Sequence, residues 1–149
     1  MKNLKNIGLL FLATITLFSC SPNEEELITE APQNVQPQNG KSFSADEAQQ
    51  AITFRWTPVV PKPQDPVIYK LRVWQLMQGQ NSSEAMRTHP PIITKDVGDI
   101  TETVVSGIYT GPCRPPYLCD YVWTVQAISQ NGMPIGLNNG TSNPTVFNF

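Results

Sequence analysis

Several short segments of the chain alternate between apolar and polar residues with a period of two, which is the pattern of half-buried β-strands. The clearest segments are 52–56, 67–76 and 121–128, and weaker ones lie at 101–105 and 144–149. No long segment after residue 39 has the 3.6-residue period of an amphipathic helix built from helix-forming residues. Fourteen prolines and nine glycines separate the segments. This pattern predicts an all-β sandwich of about seven short strands.

The alternation divides each clear segment into an inward and an outward face. We expect these residues to face the core: Ile52, Phe54, Trp56, Tyr69, Leu71, Val73, Tyr121, Trp123, Val125 and Ala127. One helical turn interrupts the strands, because Asn81 can cap a turn that begins at Ser82 and Glu84 can complete its capping box. A helix this short is unstable alone in water, so it has to pack on the sheet.

Several motifs together resemble a known family. They are Phe54-x-Trp56-x-Pro58, Tyr69-x-Leu71-x-Val73, Tyr121-x-Trp123-x-Val125-x-Ala127, Asn131-Gly132 and Ser142-x-Pro144. Over about 100 residues they look like strands B, C and F and the F–G hairpin of a fibronectin type III domain. The resemblance implies a fibronectin type III/immunoglobulin-like β-sandwich with Tyr121 at the tyrosine-corner position and the helical turn in an excursion after strand C.

A second group of residues is similar to the TANFOR group of bacterial surface proteins. These residues are Tyr69-Lys70-Leu71-Arg72-Val73-Trp74, Gly79-Gln80, Glu84-Ala85-Met86 and Pro90-Pro91. Two features depart from ordinary type III domains, namely the excursion at 77–91 and the segment from Cys113 to Cys119. The resemblance therefore implies a fold but no particular ligand.

The first residues have the pattern of a bacterial export signal. Lys2 and Lys5 precede an apolar run at 7–17, which is too short to cross a membrane that needs roughly 20 apolar residues. Leu17-Phe18-Ser19-Cys20 resembles the lipobox of bacterial lipoproteins. That resemblance implies cleavage before Cys20, a diacylglyceryl group on its sulfur and further acylation, for example by palmitate. The alternative is an ordinary signal peptide with Cys20 merely nearby.

Composition then divides the remainder into a tether and a domain. Residues 20–38 contain four glutamates, no basic residue and three prolines, which predicts an extended acidic tether. Residues 39–149 contain eight acidic and eight basic residues and are assigned to the sandwich. No basic patch is dense enough for nucleic acid, which we therefore do not expect as a partner.

Location follows from the lipid anchor and the acidic residues behind it. We expect an outer-membrane lipoprotein whose only attached group is the covalent lipid on Cys20. Glu24, Glu25 and Glu26 resemble the signal that sends some lipoproteins to the outer surface. The alternative is that they only keep a spacer solvated, which leaves the protein at the periplasmic face.

With Cys20 assigned to lipid, Cys113 and Cys119 remain in an exported protein, which favours a disulfide. Zinc would need four ligands, and a thioredoxin-type pair has two intervening residues rather than five. A ring this short stabilises by about 2 kcal/mol on the loop-entropy model. In the type III fold it would lie at the pole away from the start of strand A and hence from the tether.

Candidates for catalysis are weak. His89 has no evident partner that would orient it as a base, and Asp96, Asp99 and Glu102 form no matched acid and base pair. Asp96 and Asp99 lack the spacing of a known calcium loop. We therefore expect no catalytic residues, no metal and no enzyme activity.

Three surfaces are candidates for binding. Trp74 shares a face with Arg72 and could be an exposed platform for a sugar or peptide, unless residues of the excursion cover it. Arg114, Pro115, Pro116 and Tyr117 form a constrained loop that could contact a partner or only stiffen a corner. The segment 130–141 could be a contact loop, although Met133, Ile135 and Leu137 could equally continue a strand.

These features lead to three functional hypotheses. The first is a membrane-anchored surface lipoprotein that acts as a non-enzymatic interaction module for a protein or glycan. The second is a protease inhibitor that presents the loop 113–119 to an active site. The third is a structural subunit of an envelope assembly that pairs through strand edges.

Overall fold

The computed structural model describes residues 28–109 and 113–149. The predicted signal peptide, the lipidation of Cys20 and the first part of the tether lie outside the described residues. The elements, in chain order, are β1 (Asn34–Gln36), β2 (Lys41–Ser42), α1 (Ala45–Ala48), β3 (Ile52–Trp56), β4 (Ile68–Met77), α2 (Ser82–Thr88), β5 (Ile93–Asp96), β6 (Glu102–Val105), β7 (Tyr117–Ile128), a 3₁₀ turn (Asn138–Gly140) and β8 (Thr145–Asn148).

The strands form two sheets, which confirms the predicted all-β sandwich. One sheet has the order β1-β3-β6 and the other the order β2-β8-β7-β4-β5. Neighbouring strands are antiparallel except β2 and β8, which are parallel. The longest pairing joins β4 to β7 from Ile68↔Ile128 to Met77↔Tyr117. None of the helices in the described part of the chain is long and apolar enough to cross a membrane.

The core between the sheets is rich in aromatic rings. All ten residues predicted to face inward are buried there. Phe54 from the smaller sheet meets the Trp123 ring of the larger sheet edge to face, with centroids 5.1 Å apart. Tyr121 stacks on Phe147 with centroids 5.5 Å apart. Such rings bury large apolar areas, so this cluster contributes much of the stability of the sandwich.

The first strand lies inside the segment that composition assigned to the tether, so the predicted boundary at residue 38 is wrong. Glu30 N–H donates to the Val60 carbonyl oxygen at 2.7 Å, and Pro32 is fully buried. The Asn34 side-chain amide donates to the Trp123 carbonyl oxygen at 3.2 Å and to Thr145 Oγ1 at 2.9 Å. Asn34 therefore links β1 to the opposite sheet, and the folded domain begins by Glu30.

A second, smaller cluster covers part of the outer face of the larger sheet. Trp74 and Leu76 of β4 and Val122 of β7 pack there under Ala85 and Met86 of α2. The Asn81 and Glu84 capping box is present, as predicted, but the helix continues for seven residues rather than one turn. The excursion therefore folds back over the sheet and buries its apolar half.

Several elements were not predicted or differ from their predicted bounds. The helix α1 has a capping box of Ser44 and Glu47. The strand β7 begins at Tyr117, inside the cysteine ring, and not at Tyr121. Between the two β-strands β7 and β8, the segment containing Met133, Ile135 and Leu137 forms an isolated bridge and a 3₁₀ turn in place of a regular strand.

Two core tyrosines have raised pKa values. Burial is the largest cause of the rise in the pKa of Tyr69, and a hydrogen bond of 3.2 Å from Val59 N–H to its hydroxyl opposes part of that rise. Burial also raises the pKa of Tyr121, and neighbouring Tyr109 and Asp120 add to the effect. Both side chains therefore keep their protons at pH values where an exposed tyrosine ionises.

We expect the folded protein to lose stability above about pH 10. Unfolded tyrosines release protons near that pH, whereas Tyr69 and Tyr121 hold them to higher pH in the folded state, so ionisation favours unfolding. The stabilisation is complete below about pH 10 and is lost as the pH rises through the raised values. Urea denaturation at about pH 8 and about pH 11 measures the loss.

The loss should shrink in the variant Tyr69→Phe/Tyr121→Phe and persist in Tyr117→Phe, which changes an exposed tyrosine. An equal loss in both variants would contradict the assignment of the alkaline sensitivity to the core.

Candidate functional site

The cysteine ring is the first candidate surface. Cys113 and Cys119 form a disulfide with their Cα atoms 5.4 Å apart, as predicted. Arg114, Pro115, Pro116 and Tyr117 are all exposed, and the Tyr117 side chain is 53% exposed. The structure therefore places all four predicted contact residues of this ring at the surface.

Hydrogen bonds tie the ring to the end of β4. Gln78 N–H donates to the Pro116 carbonyl oxygen at 2.7 Å. The Gln75 side-chain amide donates to the Leu118 carbonyl oxygen at 2.8 Å. Tyr117 N–H donates to the Arg114 carbonyl oxygen at 2.9 Å, which closes a turn inside the ring. The ring is thus an extension of the larger sheet, held from both the disulfide and the strand.

The ring and the N-terminal segment lie at opposite poles of the sandwich. At the ring pole, Met77 at the end of β4 pairs with Tyr117. At the other pole, Thr29 O accepts a hydrogen bond of 2.9 Å from Leu137 N–H, and Glu30 bonds to Val60. The ten residues of β4 separate these poles by roughly 30 Å at the usual strand rise. Within the described residues, the ring therefore lies at the pole away from their start at Ile28.

A groove on the outer face of the larger sheet is the second candidate surface. It is open to solvent and has a volume of about 360 Å³. Its floor is formed by Arg72 of β4 and by Thr124 and Gln126 of β7. Arg72 and Thr124 are direct cross-strand partners, and Gln126 lies opposite Lys70 one position further along the same face. The pairing of β4 with β7 therefore brings these polar side chains together.

One wall of the groove is apolar and contains Trp74 and Met86. Trp74 is only 6% exposed, and its indole N–H donates to the His89 carbonyl oxygen at 3.2 Å. Of the two alternatives for Trp74, the structure therefore shows the covered one, because the excursion packs over the ring and no exposed aromatic platform remains. What remains at the groove is the edge of Trp74 beside the Met86 side chain.

The opposite wall is the segment 138–144, which contains an unusual left-handed turn. Asn138, Asn139 and Gly140 have φ values of 54°, 52° and 67°. Left-handed residues normally occur singly, since each costs about 1–2 kcal/mol for a residue with a side chain. The turn is held by the Gln126 side-chain amide, which donates to the Asn139 carbonyl oxygen at 3.0 Å. Asn138 also donates to the Thr141 carbonyl oxygen at 2.8 Å.

Two polar groups on the groove floor lack a hydrogen-bond partner among the described residues. Arg72 forms neither an ion pair nor a hydrogen bond there, although neighbouring Lys70 is paired with Asp96 at 3.5 Å. Thr124 is only 2% exposed, and its hydroxyl has no partner among these residues either. Arg72 is partly exposed and both residues line the groove, so neither side chain is committed to a partner within the described residues and both can bond to a ligand.

The side chains considered for catalysis or calcium have structural partners. Glu102 accepts a hydrogen bond of 2.7 Å from Arg55, and Asp99 pairs with Lys62 at 3.2 Å. The His89 ring lies 2.9 Å from the Gln80 side-chain amide at the end of α2. In residues 28–109 and 113–149, no group of three or more His, Cys, Asp or Glu side chains is placed to hold a metal ion.

Arg72, Trp74 and part of the wall, within the candidate segment 130–141, were identified from the sequence, but their assembly into one groove with Thr124 and Gln126 was not. Thr124 and Gln126 lie on the outward face of β7 and were visible as such, but nothing in the sequence placed the 138–144 wall beside them. Asn138-Asn139-Gly140 was the available signal, because asparagine and glycine are the residues that most readily adopt positive φ.

Comparison of the chain with protein-family models, with curated proteins and with solved structures finds no match in any of the three. The function of the ring and of the groove is therefore inferred from their geometry.

We expect Gly140→Ala to destabilise the protein and to displace the groove wall. A Cβ atom at this position would lie 2.5 Å from the Ala127 carbonyl oxygen and 2.6 Å from that of Ile135. Because both atoms belong to the backbone, the turn itself has to move, at a cost above about 1 kcal/mol. Thermal and urea unfolding measure this cost.

Gly132→Ala is the matched control, because Gly132 also has a positive φ, of 79°, but has open space around its Cβ position. An equal loss of stability in both variants would mean that backbone conformation alone, and not the contact with β7, fixes the turn.

Proposed function

We propose that this protein is a lipid-anchored surface protein whose sandwich serves as a non-enzymatic interaction module. The observation that carries the proposal is the exposed cysteine ring, which is tied to β4 at the pole opposite the N-terminal segment. The lipobox-like sequence before Cys20 supplies the anchor. The acidic residues behind it support delivery to the outer face of the outer membrane.

The ring suits contact with a partner protein because its backbone is already restrained before binding. Immobilising a flexible loop on binding costs about 0.5–1.5 kcal/mol for each rotamer-rich side chain. The disulfide and the bonds from Gln75 and Gln78 already restrict this ring. Tyr117 then offers a large amphipathic side chain beside the positive charge of Arg114, and tyrosine and arginine are enriched at interface hot spots.

The folded domain begins by Glu30, closer to Cys20 than the sequence predicted. This short separation supports an orientation in which the ring points away from the membrane. If lipid is attached at Cys20, eight residues, 20–27, separate it from the described chain. Eight residues span at most about 28 Å. The sandwich then stays close to the membrane with its N-terminal pole inward, and the ring is presented roughly 30 Å further out, at the length of β4.

Two observations favour this function over its alternatives. A protease inhibitor presents backbone to its target, yet the Arg114 and Pro116 carbonyl oxygens accept hydrogen bonds within the protein. Assembly through strand edges needs long free edges, yet the edge strands β1, β2, β5 and β6 have two to four residues each. Contact through the exposed side chains of the ring requires neither free backbone carbonyl groups nor a long strand edge.

We expect the full chain, expressed in a diderm bacterial host, to incorporate a palmitate analogue and to fractionate with membranes. Cys20→Ser should abolish both, because no other acceptor has a lipobox-like context. Cys113→Ser/Cys119→Ser is the control and should remain labelled. Labelled protein in the Cys20→Ser sample would contradict the anchor.

Protease treatment of intact cells tests whether the protein lies on the outer surface. Glu24→Ala/Glu25→Ala/Glu26→Ala should reduce its digestion.

We expect a photoreactive amino acid at Tyr117 to cross-link a partner in intact cells. The same group at Val104, which is 51% exposed on the other sheet, should not cross-link that partner. Arg114→Ala and Cys113→Ser/Cys119→Ser should each weaken capture, since they remove a side chain and the constraint on the ring. Cross-linking that is equal from both positions, or absent from Tyr117, would overturn the assignment of the ring as the contact surface.

A further inference from the structure

The charge in the groove comes from one residue. Arg72 is the only charged side chain on the described lining of the cavity. Its cross-strand neighbours are Thr94 on β5 and Thr124 on β7, both neutral. The nearest acid along the sheet, Asp96, is paired with Lys70. A guanidinium without an ionic partner presents parallel donors that match the two oxygens of a carboxylate.

One positive charge also limits the charge of the ligand. A phosphate group carries up to two negative charges and usually gathers several cations or backbone N–H groups. The groove supplies Arg72 alone among its described side chains. The single positive charge of Arg72 therefore matches a singly charged carboxylate.

The neutral groups around Arg72 fit hydroxyl groups. Thr124 lines the groove, and its hydroxyl makes no hydrogen bond to the described residues, so it can both donate to and accept from a ligand. Gln126 lines the groove and uses its amide nitrogen to hold Asn139, which leaves its side-chain oxygen free as an acceptor. The Asn139 side chain adds a further amide to the opposite wall. A ligand rich in hydroxyls satisfies these groups together.

The shape of the groove fits one or two sugar rings. Its volume of about 360 Å³ lies within the range of small-molecule sites. The edge of Trp74, the Met86 side chain and Pro144 form apolar surface against which the C–H face of a sugar ring can pack. The left-handed turn at 138–140 is held in place by contacts with β7, so this wall is formed before binding.

An extended peptide fits the same place poorly. Peptides often bind by adding a strand to a free sheet edge. Beside the groove, the backbone of β7 is already occupied, because Ser142 N–H donates to the Val125 carbonyl oxygen at 2.9 Å. Val125 N–H in turn donates to Ser142 Oγ at 2.9 Å. The ligand therefore has to be recognised through side chains.

From this geometry we propose that the groove binds a carboxylate-bearing sugar residue of a glycan. The carboxylate pairs with Arg72, the hydroxyls bond to Thr124, Gln126 and Asn139, and one ring face packs on Trp74 and Met86. This inference rests on the proposed function as an interaction module and gives it a glycan ligand at a surface separate from the ring.

The test is a titration of residues 21–149, which contain every described element and lack Cys20, the proposed lipid acceptor. The probes are the methyl glycosides of glucuronic acid, galacturonic acid and N-acetylneuraminic acid, followed by ¹⁵N NMR and calorimetry. If the sugar binds in the groove, the NMR signal of the Trp74 indole N–H should shift, whereas the signals of Trp56 and Trp123 should stay unmoved. Methyl glucoside and methyl galactoside, which lack the carboxylate, should bind at least about tenfold more weakly.

Two substitutions test the named contacts. Arg72→Gln should weaken binding of the acidic sugar at least about tenfold and should remove its preference over the neutral sugar. Thr124→Val should weaken binding of both sugars by about three- to tenfold with no change in that preference. Arg55→Gln is the matched control, because it changes a strand arginine on the opposite sheet, and it should leave binding unchanged.

Several outcomes overturn the inference. The first two are an equal affinity for acidic and neutral sugars and an absence of binding of any acidic sugar at millimolar concentration. The others are an effect of Arg55→Gln as large as that of Arg72→Gln and binding of inorganic phosphate or acetate as tight as that of the acidic sugars. A peptide with a free carboxylate that competes better than every sugar would also overturn it.

The two proposals can fail separately. Tyr117→Ala should leave sugar binding intact, because the ring lies at the end of β4 and the groove at its middle. Sugar binding without partner capture at Tyr117 removes the protein-contact part of the proposed function and keeps the groove. Capture at Tyr117 without sugar binding removes only this inference.

Discussion

The pairing of β4 with β7 is the constraint on which the described structure depends. Its register runs continuously from Ile68 opposite Ile128 to Gln75 opposite Tyr121, and after an irregularity Met77 meets Tyr117. In that register Tyr69, Trp123 and their neighbours face the core. A slip by one residue would turn these rings to the surface, so the buried aromatic cluster and the hydrogen bonds of the pair enforce each other. The same register sets Arg72 beside Thr124 on the outside and brings the cysteine ring to the end of β4.

Strands that face the core were predictable because burial leaves a period-two pattern. The limits of β3 were predicted correctly, and those of β4, β6 and β8 within one residue. The edge strand β1 left no such pattern, because its anchoring comes from the side-chain amide of Asn34 and from buried Pro32. The residues around β1 have the composition of a solvated linker. They are ordered by contacts with residues far along the chain, such as Trp123, and a local sequence pattern does not reveal such contacts.

The ring and the groove also differ in how far the sequence could predict them. The cysteine ring is local in sequence, so both its disulfide and its exposed residues could be predicted. The groove is assembled from β4, β7, α2 and the segment 138–144, and the sequence identified Arg72, Trp74 and the loop 130–141 only as separate candidates. Trp74 was placed on the correct face of its strand, but its exposure depended on how far α2 extends over the sheet. Helix length beyond the capping box was decided by packing on Trp74 and Leu76, which is a tertiary effect.

The amide of Asn34 has a mechanical consequence for a chain that is anchored at Cys20, as proposed. A chain attached to a membrane is pulled at its N-terminal segment, and that segment continues directly into β1. Asn34 joins β1 to the backbone of Trp123 in β7, and β7 begins within the cysteine ring. Tension between an anchor and a partner held at the ring would therefore pass from β1 across the core into β7. The load would be shared by both sheets, so an edge strand of three residues would not have to resist it by its ladder bonds alone.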